Sequence, residues 1–274
     1  MSIEYYSKGS FTKASHGGAP VLKVKSLLLG TGTKNFDLKN GNAQSVQRQV
    51  EHILKSGGIR RAVMPRCDFT ANLERFRSET GANWMEKTIN PADGVIVCEP
   101  HVSIVFFPAD CPIVTIFDPQ EGKLAGLHIG YRSLFNGKEV RNPCILDTTL
   151  ERGAFNVEGV QVCIHPCIKS CCFGVDHHPK IDSLPHTIAT KGPRKGQRSL
   201  DLQGYIKERI ISFGIPEARI QTEAMCTACA DRPEDPAPEV EEGVEPRRYF
   251  PRYHSHCYDA PNDGRNLFAA WIEE

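Results

Sequence analysis

The chain has 274 residues, of which 40% are hydrophobic and 24% are charged, enough to form one large globular core or two small ones. Its 33 basic residues balance its 33 acidic residues, so we expect no long-range field that would hold nucleic acid or an anionic membrane surface. The sequence shows neither the apolar core of a signal peptide nor a run long enough for a transmembrane helix, which predicts a cytoplasmic protein.

Hydrophobic periodicity predicts two helices with a sheet between them. Residues 45–58 place Val50 and Leu54 on one helical face and end at a pair of glycines. Residues 199–214 show the same spacing, with Ser199 as the expected N-cap. Short runs rich in Val, Ile and Phe predict strands at 94–99, 102–107, 112–117, 124–129 and 160–165.

Two segments are too polar to form core and are predicted as loops, residues 176–199 and residues 231–248. Neither loop is flanked by two complete structural patterns, and the sequence contains no internal repeat. We therefore expect one domain over residues 1–274.

One cysteine and one histidine lie on a predicted hairpin. The turn D-P-Q-E-G-K joins two apolar runs and predicts antiparallel pairing in which Asp118 faces Gly122 or Lys123. That register makes Cys111 and His128 near cross-strand neighbours, with Cβ atoms about 5 to 8 Å apart. The pattern leaves two interpretations open, a shared site or two packed core residues.

Asp110 precedes Cys111 at the end of an apolar strand, and it favours the first interpretation. A carboxylate in such a place must be solvated, paired or engaged in a site, because burying an uncompensated charge costs several kcal/mol or more. Eleven cysteines in a chain without an export signal also favour thiols, metal ligands or a nucleophile over a disulfide scaffold.

Several short motifs occur here in the order in which one protein family has them. They read PADGVIVCEP, PADCPIV, LHIGYRS, CIHPCIKSCCFGV, LDL, CT and DGR. On these motifs the chain resembles the laccase-domain family, also called the multicopper polyphenol oxidoreductase or peptidoglycan-editing-factor family, whose members look like zinc-containing purine nucleoside phosphorylases. The similarity extends from about Ser26 to Trp271. It implies an α+β fold, a single domain with two mixed β-sheets between helical layers.

The resemblance also implies a site and an activity. Cys111 and His128 would be two of three protein ligands of a Zn²⁺ ion, with copper the less favoured metal, and Asp110 would join them in catalysis. Phosphate would cleave small purine nucleosides such as adenosine or inosine, and some members of the family also deaminate adenosine. Lys169, Arg132 and Arg265 are the candidate substrate-binding cations. The oligomeric state stays open.

The chain departs from the family pattern at the third metal ligand. The histidine of the family's Q-V-H-G stretch falls here on Phe69, which cannot bind a metal. Cys67 is the favoured substitute, since alternate residues of a strand share one face. His254 and His256, near the C-terminus, are the other candidates, and they replace an arginine pair expected to hold phosphate.

These departures keep two rival functions open. One is a catalytically degenerate protein that binds metal or a protein partner. The other is a hydrolase acting on a peptidoglycan precursor, in which His128 activates a Cys111 nucleophile without metal.

A further group of cysteines, in C-I-H-P-C-I-K-S-C-C and C-T-A-C, is interpreted either as buried thiols or as a separate zinc or redox site. Cys171 and Cys172 are not expected to serve one metal together, because adjacent residues on a strand face opposite ways.

Overall fold

The computed structural model describes residues 11–12, 22–29, 43–67, 72–76, 84–136, 139–140, 143–152, 155–176, 189–191, 197–229 and 266–273. The helices are α1 (Ala43–Ser56), α2 (Tyr131–Leu134), α3 (Ile145–Arg152) and α4 (Leu202–Ser212). The strands are β1 (Phe11–Thr12), β2 (Lys23–Leu29), β3 (Arg61–Arg66), β4 (Leu73–Arg75), β5 (Met85–Pro91), β6 (Gly94–Val97), β7 (Val102–Phe106), β8 (Ile113–Asp118), β9 (Lys123–His128), β10 (Phe135–Asn136), β11 (Glu139–Val140), β12 (Gln161–Ile164), β13 (Gly174–Asp176), β14 (Ala189–Lys191), β15 (Gln197–Leu200), β16 (Ile220–Thr222) and β17 (Leu267–Glu273).

Two mixed sheets of six strands dominate the fold. Sheet A has the order β1-β2-β17-β7-β3-β5, with β3 parallel to both of its neighbours and the other pairs antiparallel. Sheet B has the order β16-β12-β8-β9-β6-β4, with parallel pairs at its two edges and antiparallel pairs within. The predicted central strands are confirmed, but they divide between the sheets, because β7 belongs to sheet A and β6, β8, β9 and β12 belong to sheet B.

The sheets stack face to face, and helices cover both outer faces. Alternate side chains show this, since Ile104 packs between the sheets while Val105 packs with Leu54 of α1 on the outside of sheet A. In sheet B, Ile113 points to the other sheet and Val114 points to α2, α3 and α4. Because both faces of each sheet are buried, the central strands are mostly apolar, and the predicted α+β arrangement is confirmed.

The two sheets approach each other closely at Gly126 of β9. A Cβ atom there would lie 2.9 Å from Cγ2 of Ile104 and 3.0 Å from Cε2 of Phe106, both on β7. Any side chain at this position would therefore push the sheets apart next to His128, two residues further along β9.

The helix predictions hold, with one correction at an N-terminus. α1 ends at Ser56 and is followed by Gly58 in the left-handed region, at φ +81°. α4 is capped by Asp201, whose Oδ1 accepts a hydrogen bond from the amide of Gly204 at 3.0 Å. The predicted cap, Ser199, is wrong because that residue pairs with Thr190 within a small sheet of order β13-β15-β14.

That small sheet lies partly inside the polar segment 176–199, so the described part of this segment is not loop throughout. Segment 231–248 lies outside the described residues. Among the helices that the structure describes, none combines the length and the apolarity that crossing a bilayer requires.

Candidate functional site

Three potential metal ligands meet where the two sheets end. Cys67 directly follows β3 of sheet A, Asp93 directly precedes β6 of sheet B, and His128 is the last residue of β9. One sulfur, one carboxylate oxygen and one imidazole nitrogen from these residues all lie within 4.8 Å of one another. Cys67 is exposed, His128 is half-buried and Asp93 is buried. We call this group the strand-end cluster.

Backbone hydrogen bonds hold the cysteine and the aspartate of this cluster together. The chain leaves sheet A at Pro91 and enters sheet B at Gly94, so Ala92 and Asp93 form the crossing point. The amide of Ala92 donates to the carbonyl of Arg66 at 3.0 Å, which sets Asp93 beside Cys67. The amide of Asp93 donates to the carbonyl of Asn72 at 2.9 Å. The backbone that carries the carboxylate is thus held by main-chain contacts.

His128 is fixed from two sides. Its amide donates to the carbonyl of Asp93 at 2.8 Å, and its backbone pairs with Ile113 across the hairpin. Its ring stacks on that of Phe106, with centroids 6.4 Å apart and planes at 27°. A side chain held by a strand, a neighbouring carbonyl and a stacked ring has few alternative positions, which is the preorganisation that a functional site needs.

The predicted hairpin is confirmed, with Asp118 opposite Lys123. The amide of Ile129 donates to the carbonyl of Pro112 at 2.8 Å, so the contact between the two segments extends to the residue next to Cys111. Cys111 is half-buried and does not belong to the set of three whose ligand atoms lie within 4.8 Å of one another. Its role as a ligand, or as a nucleophile, therefore stays a prediction.

Asp110 is buried, and its carboxylate oxygen Oδ1 accepts a hydrogen bond from the hydroxyl of Thr227 at 3.0 Å. Its carbonyl accepts from the amide of Ile168 at 3.0 Å. Asp110 thereby joins the loop that carries Cys111 to two segments from later in the chain.

The candidate substrate-binding residues lie in different environments. Arg132 is exposed on α2, four residues after His128. The ammonium of Lys169 donates to the side chain of Gln203 and, at 3.0 Å, to the carbonyl of Glu223. These bonds tie α4 to the end of β16. His254, His256 and Arg265 lie outside the described residues.

Asp93 is the member of the strand-end cluster that sequence reasoning missed. A signal was present, because Pro91-Ala92-Asp93 repeats as Pro108-Ala109-Asp110, each time beside an apolar strand. Both aspartates are buried. A carboxylate repeated at two strand ends nominates both residues as members of a site, because burying an unpaired charge is costly.

A second cysteine and histidine pair lies in the core and has a different character. Nε2 of His165 is 3.0 Å from the hydroxyl of Thr115, and Nδ1 is 3.8 Å from the sulfur of Cys163. Burial lowers the pKa of His165 to about 3 and raises the pKa of Cys163 well above its usual range. Both groups are therefore neutral near pH 7, which suits a structural hydrogen-bonded network and not an ion-paired nucleophile.

A third group brings together four cysteines, Cys171, Cys172, Cys226 and Cys229. One sulfur from each lies within 4.8 Å of the others. The expectation that Cys171 and Cys172 cannot readily serve one metal is wrong, because they lie in a turn and not on a strand, and their sulfurs belong to the same group. The turn is tight, since the amides of Cys172 and Phe173 both donate to the carbonyl of Lys169, at 2.9 and 2.8 Å. We call this group the four-cysteine cluster.

The ligand types of the strand-end cluster fit a zinc ion. Thiolate, imidazole and carboxylate are the protein ligands that Zn²⁺ uses, and three protein ligands are the number that catalytic sites provide while keeping a fourth position open. Harder ions such as Mg²⁺ prefer oxygen ligands alone. The donor set therefore favours zinc among the common divalent ions.

The chain is similar in sequence to two proteins of known name. A purine nucleoside phosphorylase from Bacteroides thetaiotaomicron is 24% identical over 147 residues, or 52% of this chain and 53% of that protein. Adenosine deaminase RL5, from an unknown prokaryotic organism, is 25% identical over 176 residues, or 61% of this chain and 65% of its own length. The chain thus spans between about half and two thirds of the curated relatives that it matches.

The crystal structure of the hypothetical protein YfiH from Bacillus licheniformis superposes with a TM-score of 0.67, at 19% identity, over 91% of this chain and 92% of that one. This likeness confirms the fold. The family model described as multi-copper polyphenol oxidoreductase laccase matches residues 16–233, which is most of the sequence and includes both ligand clusters. The protein belongs to the multi-copper polyphenol oxidoreductase laccase family.

Proposed function

We propose that the protein is a zinc-dependent enzyme that acts on purine nucleosides, in the manner of a purine nucleoside phosphorylase. The observation that carries the proposal is the convergence of Cys67, Asp93 and His128 at the ends of β3, β6 and β9. Support for the substrate class comes from the relatives named purine nucleoside phosphorylase and adenosine deaminase. The substrate would be a small nucleoside, with inorganic phosphate as the second reactant.

In this proposal Cys67, Asp93 and His128 would hold Zn²⁺, with Cys111 as a ligand that could replace one of them. When bound, zinc supplies a Lewis acid and lowers the pKa of coordinated water. The protein's own contribution is positional. The Asp93 carbonyl holds the backbone of His128 and the Phe106 ring packs on its imidazole, so the imidazole is ordered before substrate binds.

Phosphorolysis also needs a cation for phosphate. Arg132 is exposed on α2 and follows His128 by four residues, so it is the described residue that we assign to this role. A guanidinium can donate two parallel hydrogen bonds to a phosphate. Phosphate oxygen would then attack the anomeric carbon of the nucleoside, the glycosidic bond would break, and the base would leave with a proton.

A second candidate activity is deamination of adenosine. It is favoured by the relative named adenosine deaminase, which covers more of this chain than the phosphorylase does. Deamination needs water as the nucleophile at the purine ring and needs no phosphate. The two activities are therefore distinguished by their dependence on phosphate.

The test uses the full chain, purified in a reducing buffer without chelators. Zinc content is measured by elemental mass spectrometry, and adenosine, inosine and guanosine are incubated with and without phosphate. Chromatography separates free base and ribose 1-phosphate, the products of phosphorolysis, from inosine, the product of adenosine deamination. We expect phosphate-dependent release of base that disappears in H128A and C67S and persists in C98S, which changes an exposed cysteine outside both clusters.

Three results would contradict the proposal. Zinc binding without turnover of any nucleoside would favour a catalytically degenerate metal-binding protein. Turnover that survives metal removal but is blocked when Cys111 is alkylated would favour the cysteine hydrolase. Equal turnover in H128A and in the unchanged protein would remove His128, and the strand-end cluster with it, from the reaction.

A further inference from the structure

The four-cysteine cluster is the strongest group of ligands that the proposed function does not use. Its members come from two segments, the turn that contains Cys171 and Cys172 and the turn that contains Cys226 and Cys229. The sulfurs of Cys171 and Cys229 are 3.6 Å apart. In a tetrahedral site with Zn–S bonds of about 2.3 Å, neighbouring sulfurs are about 3.8 Å apart. The observed separation is close to this value and well above the S–S bond length of about 2.05 Å in a disulfide.

The backbone around Cys226 is arranged as it is around thiolate ligands. The amide of Lys169 donates to the sulfur of Cys226 at 3.4 Å, and the backbone groups of Ala228 and Cys229 also lie against that sulfur. Donors two and three residues after the first cysteine of a C-x-x-C turn neutralise part of the charge on a bound thiolate. Such contacts orient the sulfur before any metal arrives.

The four cysteines are buried to different degrees, as expected for a closed metal site that is reached from one side. Cys172 and Cys226 are buried, Cys229 is half-buried and Cys171 is exposed. A metal can therefore enter beside Cys171 and be shielded by the other three ligands. Since all four ligands come from the protein, no position remains open for substrate, which is the pattern of structural zinc sites.

We propose that Cys171, Cys172, Cys226 and Cys229 form a structural Zn²⁺ site, separate from the strand-end cluster. Binding forms four Zn–S bonds and breaks four S–H bonds, the protons pass to solvent, and no group is oxidised or reduced. The soft sulfur set favours Zn²⁺ over Mg²⁺ or Ca²⁺.

The position of the site gives it a role. Thr227 lies between the two cysteines of the C-T-A-C turn, and its hydroxyl donates to Asp110, the residue before Cys111. The amide of Thr227 donates to the carbonyl of Cys167 at 3.1 Å, and Cys167 pairs with Cys226 in an isolated bridge. A metal that fixes the C-T-A-C turn therefore also fixes the loop that carries Cys111.

The experiment counts zinc in the full chain after purification in a reducing buffer. We expect two zinc ions per chain, one of which is lost in a Cys171→Ser, Cys229→Ser variant and the other in a Cys67→Ser, His128→Ala variant. Cobalt substituted into the second variant should give the thiolate-to-cobalt charge-transfer bands and the intense visible bands of a tetrahedral four-sulfur site. Cys98→Ser is the matched control and should keep both zinc ions. Cys171→His, which keeps a zinc ligand at the exposed position, should also keep zinc at the four-cysteine cluster.

Zinc X-ray absorption of the Cys67→Ser, His128→Ala variant tests the site without any change to the four cysteines. A first shell made only of sulfur supports the proposal. Absence of zinc from this variant would overturn it, as would a disulfide between Cys171 and Cys229, detected as a mass loss of two hydrogens. Failure of the nucleoside assay leaves this result unaffected, because the two sites are counted in different variants.

Discussion

The strand-end cluster and the four-cysteine cluster both bring potential metal ligands together, but they differ in where the ligands come from and in the kind of donor atom. The first draws Cys67, Asp93 and His128 from three strand ends that are far apart in the sequence, and it offers three kinds of donor atom. The second draws four sulfurs from two tight turns. Three mixed ligands suit chemistry at an open position, whereas four equal ligands suit a closed site that holds chain segments together.

The two clusters also differ in the structural elements that hold their ligands in place. The strand-end cluster is positioned by the two sheets, since the Ala92 to Arg66 hydrogen bond and the β8 to β9 ladder exist without any metal. The four-cysteine cluster joins irregular segments, which depend more on a cross-link for their order. We therefore expect metal loss to affect mainly activity at the first cluster and mainly stability at the second.

The largest expected effect comes from removing the histidine of the strand-end cluster. We expect H128A to lower nucleoside turnover by at least about 10³-fold, equivalent to about 4 kcal/mol of transition-state stabilisation, because a ligand and its oriented ring are lost together. The measurement is kcat/KM for the best nucleoside, with C98S as the matched cysteine control. Because the sheets position the cluster, H128A and the unchanged protein should have similar melting temperatures when both are compared free of metal. A large fall in both would show that the clusters do not differ as described.

Zinc binding at the four-cysteine cluster should have the next largest effect, and on stability. In the H128A background, free zinc at about 1,000 times the Kd should stabilise the protein by about 4 kcal/mol, or about 8 to 16 °C in Tm. Thermal unfolding with and without zinc measures the shift. Adding Cys171→Ser and Cys229→Ser should abolish it. An equal shift in that variant would assign the stabilisation to other ligands.

How far the sequence predicts the two clusters depends on how local their geometry is. The hairpin that brings Cys111 near His128 follows from one turn, so the pairing of Asp118 with Lys123 was predictable. α1 was predictable for the same reason, since its apolar face and its terminal glycines are adjacent in sequence.

The rest depends on contacts between distant segments. Cys67 meets Asp93 because β3 and β5 pair in parallel and the chain then crosses to the other sheet, and a hydrophobic pattern does not specify such a crossing. The alternation of a strand does not apply to Cys171 and Cys172, because the chain turns there, and the sequence pattern does not specify this turn. The convergence of four sulfurs also requires that Cys167 pairs with Cys226, 59 residues later by their numbering.

Unlike His128, His165 lies outside both clusters, and it should make a smaller contribution that depends on pH and concerns stability. Burial lowers its folded-state pKa to about 3, below the unfolded value of about 6.5, so the unfolded chain binds the extra proton between these values. The contribution of neutral His165 to the free energy of unfolding is therefore fully present above pH 6.5 and is lost as the pH falls toward 3. Between pH 7 and pH 5 the loss should be about 2 kcal/mol. Denaturant unfolding of the metal-free protein measures it, and the matched variant H165Q should lack this part of the pH dependence; an identical slope in H165Q would contradict the assignment.

The smallest effect should come from the contact that joins the two regions. Thr227→Val keeps the side-chain volume but removes the donor to the buried carboxylate of Asp110, so we expect a loss of about 1.5 kcal/mol of unfolding free energy. Thr222→Val changes an exposed threonine and serves as the control. If zinc at the four-cysteine cluster orders the Cys111 loop through Thr227, removal of the metal and Thr227→Val should be non-additive, because each weakens the same connection. A double-mutant cycle with Cys171→Ser and Cys229→Ser measures this coupling, and strict additivity would mean that the two regions act independently.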